Sequence, residues 1–335
     1  MTIESEEVGM LVCTLGDPNS VNIELLGKTI KKCNYSSQLE FPLVLIGSYF
    51  QWKYQREQLG FDEQITDLKQ IQSLEQAQES GRYFIDVGGS NRDPRKFSLL
   101  ESGEIAKASL DVLANFKPST KFAVLTCPID KHACADAGFR FTGQTEYFES
   151  IWGGCAIMTL AGTKLKVGLA TNHLPLSKVS SSLSSELIYE KILKFAATLK
   201  DNFQILHPRI AVCGLNPHCG EGGLIGHEDL EIIQPAIQSA AGSSSFEVEG
   251  PVPADTVFWQ ALQGSYDGVL AMYHDQGLGP LKTVHFDSAI NISGGLKHLR
   301  VSPDHGPARD LVFRNQASSL SFEIAWETCM QYLRG

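Results

Sequence analysis

The sequence predicts an α/β protein built on a mostly parallel sheet covered on both faces and divided into two lobes. Apolar runs at residues 8–15, 122–126 and 269–273 are continuous rather than alternating, as in strands buried on both sides. Segments with apolar residues at helical spacing separate the runs, and parallel strands need such crossovers. At 335 residues the chain exceeds one small core and suits two lobes.

Taken in order, residues 8–15 read as a buried strand running into a turn at Gly16-Asp17-Pro18-Asn19-Ser20. Ile23, Leu25, Leu26 and Ile30 then mark a helical stripe. Gly27-Lys28-Thr29 invites a phosphate-loop reading, but Asn22 stands where its first glycine belongs, so an ordinary helix surface is preferred. Residues 41–46 form a second strand, 51–66 a helix and turn, 83–87 a short strand, and 88–96 a loop. A helix over 99–116 ends before Pro118, and 122–126 is the next strand.

Residues 156–160 and 165–170 read as paired strands around a turn at Gly162. Val179, Leu183, Leu187, Ile192, Phe195 and Leu199 predict one long helix with serines outward. Strands at 210–215, 269–273 and 288–292 and helices at 228–240, 254–262, 308–312 and 320–333 complete the chain. No linker, repeat or low-complexity segment separates the lobes, so they are expected to interleave.

Bulk properties narrow the function classes. A net charge of −10 without a basic run argues against nucleic acid as a partner. No apolar run reaches the roughly 18 residues of a membrane span. The N-terminus, MTIESEEVG, lacks a signal peptide's basic and apolar regions, and eight scattered cysteines without a C-x-x-C pair fit reduced thiols. A cytoplasmic location is expected.

Three predicted strands run into histidine: 165–170 into His173, 210–215 into His218, and 269–273 into His274. The carboxyl ends of parallel strands lie along one edge, where ligands bind. Three imidazoles can therefore converge, although 45 and 56 residues separate them, and imidazole is the commonest metal ligand. Each alone would more ordinarily cap a turn or bond backbone, and the remaining six histidines are left to that role. Asp255 and Asp275 lie close to the set in sequence, with helix capping and turn chemistry as their plainer roles. The stretch NPHCGEGGLIG has Ile225 where a dinucleotide fingerprint needs its third glycine. Lys282, Lys297, Arg300 and Arg309, with Asn291 among them, suit phosphate or carboxylate, although a solvated face is the usual explanation.

Together the segments TGQTE (142–146), TNHLPL (171–176), CGLNPHCGEGG (213–223), GPVPADT (250–256), LAMYHDQGL (270–278) and DHG (304–306) resemble the 4-hydroxythreonine-4-phosphate dehydrogenase family of vitamin B6 biosynthesis. The resemblance implies two α/β/α lobes with a central cleft, akin to the isopropylmalate and isocitrate dehydrogenases. Residues 1–125 with 276–335 would form the cofactor lobe, and 126–275 the lobe of the metal site and dimer interface. It implies NAD, with NADP as the alternative, bound by residues the sequence does not identify. A divalent metal is also implied: zinc, or alternatively magnesium, manganese or cobalt. By position His173, His218 and His274 match the metal ligands, in a site shared across a homodimer. Gln144, Thr145, Lys282, Asn291 and Arg300 match the substrate contacts, and Asp255 and Asp275 serve as proton acceptors or orient the histidines.

The implied reaction oxidises 4-phosphooxy-L-threonine, a small phosphorylated amino acid, to a 2-amino-3-oxo acid that decarboxylates to 3-amino-2-oxopropyl phosphate. The sequence departs from the family in four places. The glycine-bearing N-terminal loop is here residues 14–22, TLGDPNSVN, and the family's G-H-T-E carries Gln144 in place of histidine. T-G-P is Thr126-Cys127-Pro128, and a small, glycine-bearing segment is replaced by RDLVFRN at 309–315. These departures keep two alternatives open: a 4-phosphothreonate or 4-phosphoerythronate dehydrogenase, and a ligand-binding relative with reduced turnover. A metal-dependent hydrolase has no nucleophile motif behind it.

Overall fold

The computed structural model describes residues 9–32, 40–61, 68–90, 92–118, 121–242 and 245–334. The acidic N-terminus with Val8, and the turn expected after residue 61, lie outside the described residues. In chain order come β1 (Met10–Thr14), α1 (Asn22–Lys32), β2 (Pro42–Gly47), α2 (Tyr49–Leu59), β3 (Lys69–Gln70), β4 (Gly81–Asp86), α3 (Leu99–Ala114) and β5 (Phe122–Thr126). α4 (Lys131–Asp136), α5 (Gln144–Trp152), β6 (Ile157–Ala161), β7 (Lys166–Leu169), α6 (Leu176–Ser182), α7 (Ser185–Phe203) and β8 (Arg209–Cys213) follow. The rest is α8 (Gln234–Ala240), β9 (Glu247–Val252), α9 (Ala254–Leu262), β10 (Gly268–Ala271), α10 (His274–His285), β11 (Ile290–Gly294), β12 (Leu299–Pro303) and α11 (Leu320–Arg334).

The chain divides into two compact units, Met1–Gly153 with His298–Gly335, and Gly154–Lys297. In the first, the strand order is β3-β4-β2-β1-β5-β12, with every pair parallel. In the second the order is β11-β6-β7-β10-β8-β9, with β7, β10, β8 and β9 parallel and β6 antiparallel to both its neighbours. The α/β class and its parallel bias follow from the apolar runs, and Gly162 turns β6 into β7 as expected.

Period-two alternation sorts the second unit's core onto two faces. Leu270 and Met272 pack with Ile188, Ile192, Phe195 and Leu199 of α7. Val269 and Ala271 pack instead with Val257 and Phe258 of α9 and with Leu278 and Leu281 of α10. Burying a side chain such as Phe195 contributes about 1.5–3 kcal/mol, and this ring is wholly buried.

The chain passes between units after residues 153 and 297, not after the expected 125 and 275. Aromatic packing explains the first shift: Trp152 of α5 lies 6.2 Å from Phe122 and 5.4 Å from His298. Strand pairing explains the second, since β11 is antiparallel to β6. The single helix expected over 179–199 breaks into α6 and α7, because Leu183 is extended and the Ser184 hydroxyl caps α7 by accepting from Leu187 N at 3.1 Å.

The glycines of α10 were expected to loosen a loop. Gly277 instead permits a tightly packed helix, since a Cβ there would meet Val167 Cγ1 at 2.7 Å, whereas one at Gly279 would meet nothing within 4 Å. β9 and β12 were not anticipated: β9 begins with the charged alternation Glu247-Val248-Glu249, and β12 carries Arg300 within its run. Residues 308–312, expected as helix, contain only a short 3-10 turn at Arg309–Leu311.

Candidate active site

The three histidine-bearing strand ends lie side by side in the second unit, because β7, β10 and β8 are adjacent and parallel. Past β7, the backbone N and Oγ1 of Thr171 both donate to Met272 O, at 3.2 and 2.7 Å, and the chain then turns out to exposed His173. Past β10, Tyr273 stands just before α10, so His274 and Asp275 are its first two residues. The His173 and His274 rings lie 5.4 Å apart between centroids. Asp275 Oδ1 sits 2.7 Å from His274 Nδ1, a contact that makes Nδ1 the protonated nitrogen and leaves the Nε2 lone pair to bind. A carboxylate in a first helical turn is also favoured by the helix dipole.

Past β8 the backbone turns left-handed for five residues, with φ of 51° at His218, 53° at Cys219, 76° at Gly220, 43° at Glu221 and 68° at Gly222. L-residues resist this conformation at about 1–2 kcal/mol each, so other contacts must hold the turn. Wholly buried Asp229 does so, its carboxylate accepting from Leu215 N at 2.8 Å and from Asn216 N and Nδ2 at 3.1 and 2.9 Å. Glu228 accepts from the same Asn216 amide at 2.9 Å and from Ser180 Oγ at 2.7 Å. Those bonds hold the Glu228 carboxyl down at about 2. Burial pushes the Cys219 thiol up to about 11, with the Asp229 and Asp255 carboxylates adding in the same direction.

His173 and His274 come together, whereas His218 does not complete a cluster. Among the described residues no three His, Cys, Asp or Glu side chains are grouped closely enough to hold a metal ion. Exposed Asp255 is the second residue of α9 and makes no capping bond, so its plainer role does not apply. Lys282 follows His274 by about two turns of α10 and is half-buried. Asn291 lies on β11 with its Oδ1 buried and unbonded.

Gln144, Thr145 and Arg300 lie in the first unit. Gln144 opens α5 and donates from Nε2 to Cys127 O at 3.2 Å, while its buried Oε1 accepts nothing. Arg300 on β12 is 3% exposed and donates from Nε to Thr126 Oγ1 at 3.0 Å. Burial pulls its guanidinium down to about 10 and nearby Glu146 opposes this, so it stays cationic at neutral pH. Arg309 belongs to a different structure. Its Nη2 lies 2.6 Å from Asp17 Oδ2 and 3.4 Å from Asp130 Oδ2, tying the divergent N-terminal loop to the divergent 309–315 segment. Burial raises the Asp17 carboxyl and Arg309 counteracts it.

Sequence reading missed Asp229, Thr126 and the two-ended amide of Gln276, whose Oε1 accepts from Met272 N at 2.7 Å and whose Nε2 donates to Gly214 O at 2.8 Å. Gln276, two residues beyond His274, and Thr126, the retained threonine of T-G-P, carried a signal in their positions. For Asp229, 11 residues after His218, there was none.

The family model described as pyridoxal phosphate biosynthetic protein PdxA matches residues 41–329. A 4-hydroxythreonine-4-phosphate dehydrogenase from Pseudomonas aeruginosa is 42% identical over 62% of this chain and 63% of its own length, just under two thirds. One from Sulfurihydrogenibium is 34% identical over 93% of this chain and 94% of its own. The crystal structure of the Klebsiella pneumoniae 4-hydroxythreonine-4-phosphate dehydrogenase is similar at a TM-score of 0.74 and 30% identity, over 99% of this chain and all of that one. With the family model spanning most of its length, the chain belongs to the PdxA family of pyridoxal phosphate biosynthetic proteins.

Proposed function

We propose that the chain is an NAD- and divalent-metal-dependent dehydrogenase that oxidises the secondary alcohol of 4-phosphooxy-L-threonine. The 2-amino-3-oxo acid formed then loses carbon dioxide to give 3-amino-2-oxopropyl phosphate, a step toward pyridoxal phosphate. Membership of the family supports an oxidoreductase in this pathway. The observation that carries the site is the His173–His274 pair at the ends of adjacent parallel strands, with Asp275 on His274 Nδ1.

In donor chemistry these imidazoles fit a divalent ion, and two from one chain leave positions for a ligand from a second subunit and for substrate. We assign His173, His218 and His274 as the ligands, shared across a homodimer. A bound metal would supply Lewis acidity at the alcohol oxygen. Asp275 keeps the His274 ring in the tautomer and orientation that binding needs. Asp255, exposed near the start of α9, is the carboxylate we assign to take up the hydroxyl proton. Lys282 and Arg300 bind the substrate's phosphate and carboxylate, with Thr145 and Asn291 adding hydrogen bonds. Exposed Leu174, Leu176 and Leu224 flank His173 and His218 and suit an apolar face between copies.

In a second reading the substrate is 4-phosphothreonate or 4-phosphoerythronate, since the unbonded Oε1 of Gln144 can accept from a hydroxyl as well as from an ammonium. NADH formation compared side by side on 4-phosphooxy-L-threonine and these aldonates, with a divalent metal present, decides between them. The first reading expects the amino acid to be the faster substrate. Faster turnover of an aldonate would move the assignment to the second, and binding of phosphorylated ligand without any NADH would leave a relative that has lost turnover.

A further inference from the structure

We infer that Gln276 is a positioning residue that sets the spacing between the turn carrying His274 and the loop carrying His218, an inference that rests on the metal-ligand reading of those histidines. One series of hydrogen bonds crosses the three strand ends in their order in the sheet. Thr171, two residues before His173, donates from N and Oγ1 to Met272 O. Met272, two residues before His274, donates its N–H to Gln276 Oε1 at 2.7 Å. Gln276 Nε2 then reaches Gly214 O at 2.8 Å, four residues before His218. Asp229 continues the series through Leu215 N and Asn216 N.

Backbone groups just past a strand end have left the ladder and need other partners. Water could satisfy each of them singly and would leave the three ends independent. Here one side chain satisfies Met272 N and Gly214 O together, which ties β10 to β8 beyond their last ladder bond. Only an amide of this length does both, since glutamate offers no donor and asparagine is one methylene shorter. The bond to Met272 N is local and helps start α10. The bond to Gly214 O spans 62 residues and does nothing for that helix. Metal sites tolerate ligand displacements of about 0.2 Å. In a homodimer that shares its ligands, His274 and His218 of one chain serve different sites, so a tie that fixes both segments acts on affinity at each shared site rather than on folding alone.

The test is calorimetric titration of the metal-free full chain with Zn²⁺, with the Tm of the metal-free protein measured alongside. Because Gln276→Met removes the helix-start bond together with the bridge, Gln276→Glu is measured beside it. The glutamate keeps an acceptor for Met272 N, and its added negative charge on its own would tighten a cation. His218→Ala and His274→Ala are the controls. Both Gln276 variants are expected to bind Zn²⁺ about tenfold more weakly, in the range found for residues that orient metal ligands, while the histidine variants lose the site. If the histidine variants lose Zn²⁺ but both Gln276 variants keep the wild-type Kd, with or without a lowered Tm, Gln276 is merely structural and the inference fails alone. A tighter Kd in Gln276→Glu overturns it equally. If the histidine variants bind Zn²⁺ like the wild type, the ligand reading itself falls and takes the inference with it.

Discussion

Gln144 is the residue where family and chain part most sharply, and its surroundings say what the change does. Cys127 O orients the amide by accepting one hydrogen of Nε2, which leaves the second N–H and, as the unbonded buried atom, the acceptor Oε1. An acceptor suits a hydroxyl or ammonium on the ligand and neither donates to phosphate nor carries a proton. Gln144→His is therefore expected to raise kcat/KM on 4-phosphooxy-L-threonine by about a hundredfold, the low end for a general acid or base. Unchanged steady-state rates and affinity would remove position 144 from the site. The sequence showed this residue, the three histidines and their neighbouring carboxylates, because strand ends and motifs are local. It did not show Gln276 bridging to Gly214 or Asp229 to Leu215 and Asn216. Those contacts depend on strand order, which no local pattern encodes.

Elements repeat that division between local and non-local information. β1, β2, β5, β8 and β10 were legible as apolar runs, and α3 by its helical stripe, with a capping box between Ser98 and Glu101 at its start. β12 and α10 were hidden, one by its buried arginine and the other by its glycines, of which Gly277 serves close packing. The left-handed turn past β8 was also hidden, since its non-glycine residues argue against that backbone. Glu221 sits there at φ 43°, exposed, with no side-chain hydrogen bond among the described residues. Glu221→Gly is expected to stabilise the fold by about 0.5–1 kcal/mol, the relieved left-handed penalty less glycine's greater unfolded entropy. Urea denaturation reads this directly, and a loss of stability would show that the Glu221 side chain holds the turn.

At the scale of the molecule, two α/β units were expected and two are found, with changeovers displaced because α5 packs by its aromatics and β11 by pairing with β6. No helix among the described residues is long and apolar enough to cross a membrane. The metal site proposed for the second unit is incomplete in one chain, so the protein is expected to be a homodimer in solution. Analytical ultracentrifugation showing a single 36.7 kDa chain at micromolar concentration would contradict the shared site. Metal-dependent oxidation of a phosphorylated hydroxy-amino acid by NAD is the activity proposed for this site. Its most direct test is the rate of NADH formation from 4-phosphooxy-L-threonine by protein stripped of metal, before and after divalent metal is restored. No NADH is expected before and steady NADH after, with His274→Ala silent in both. NADH formed at the same rate without metal, or by His274→Ala, would contradict it.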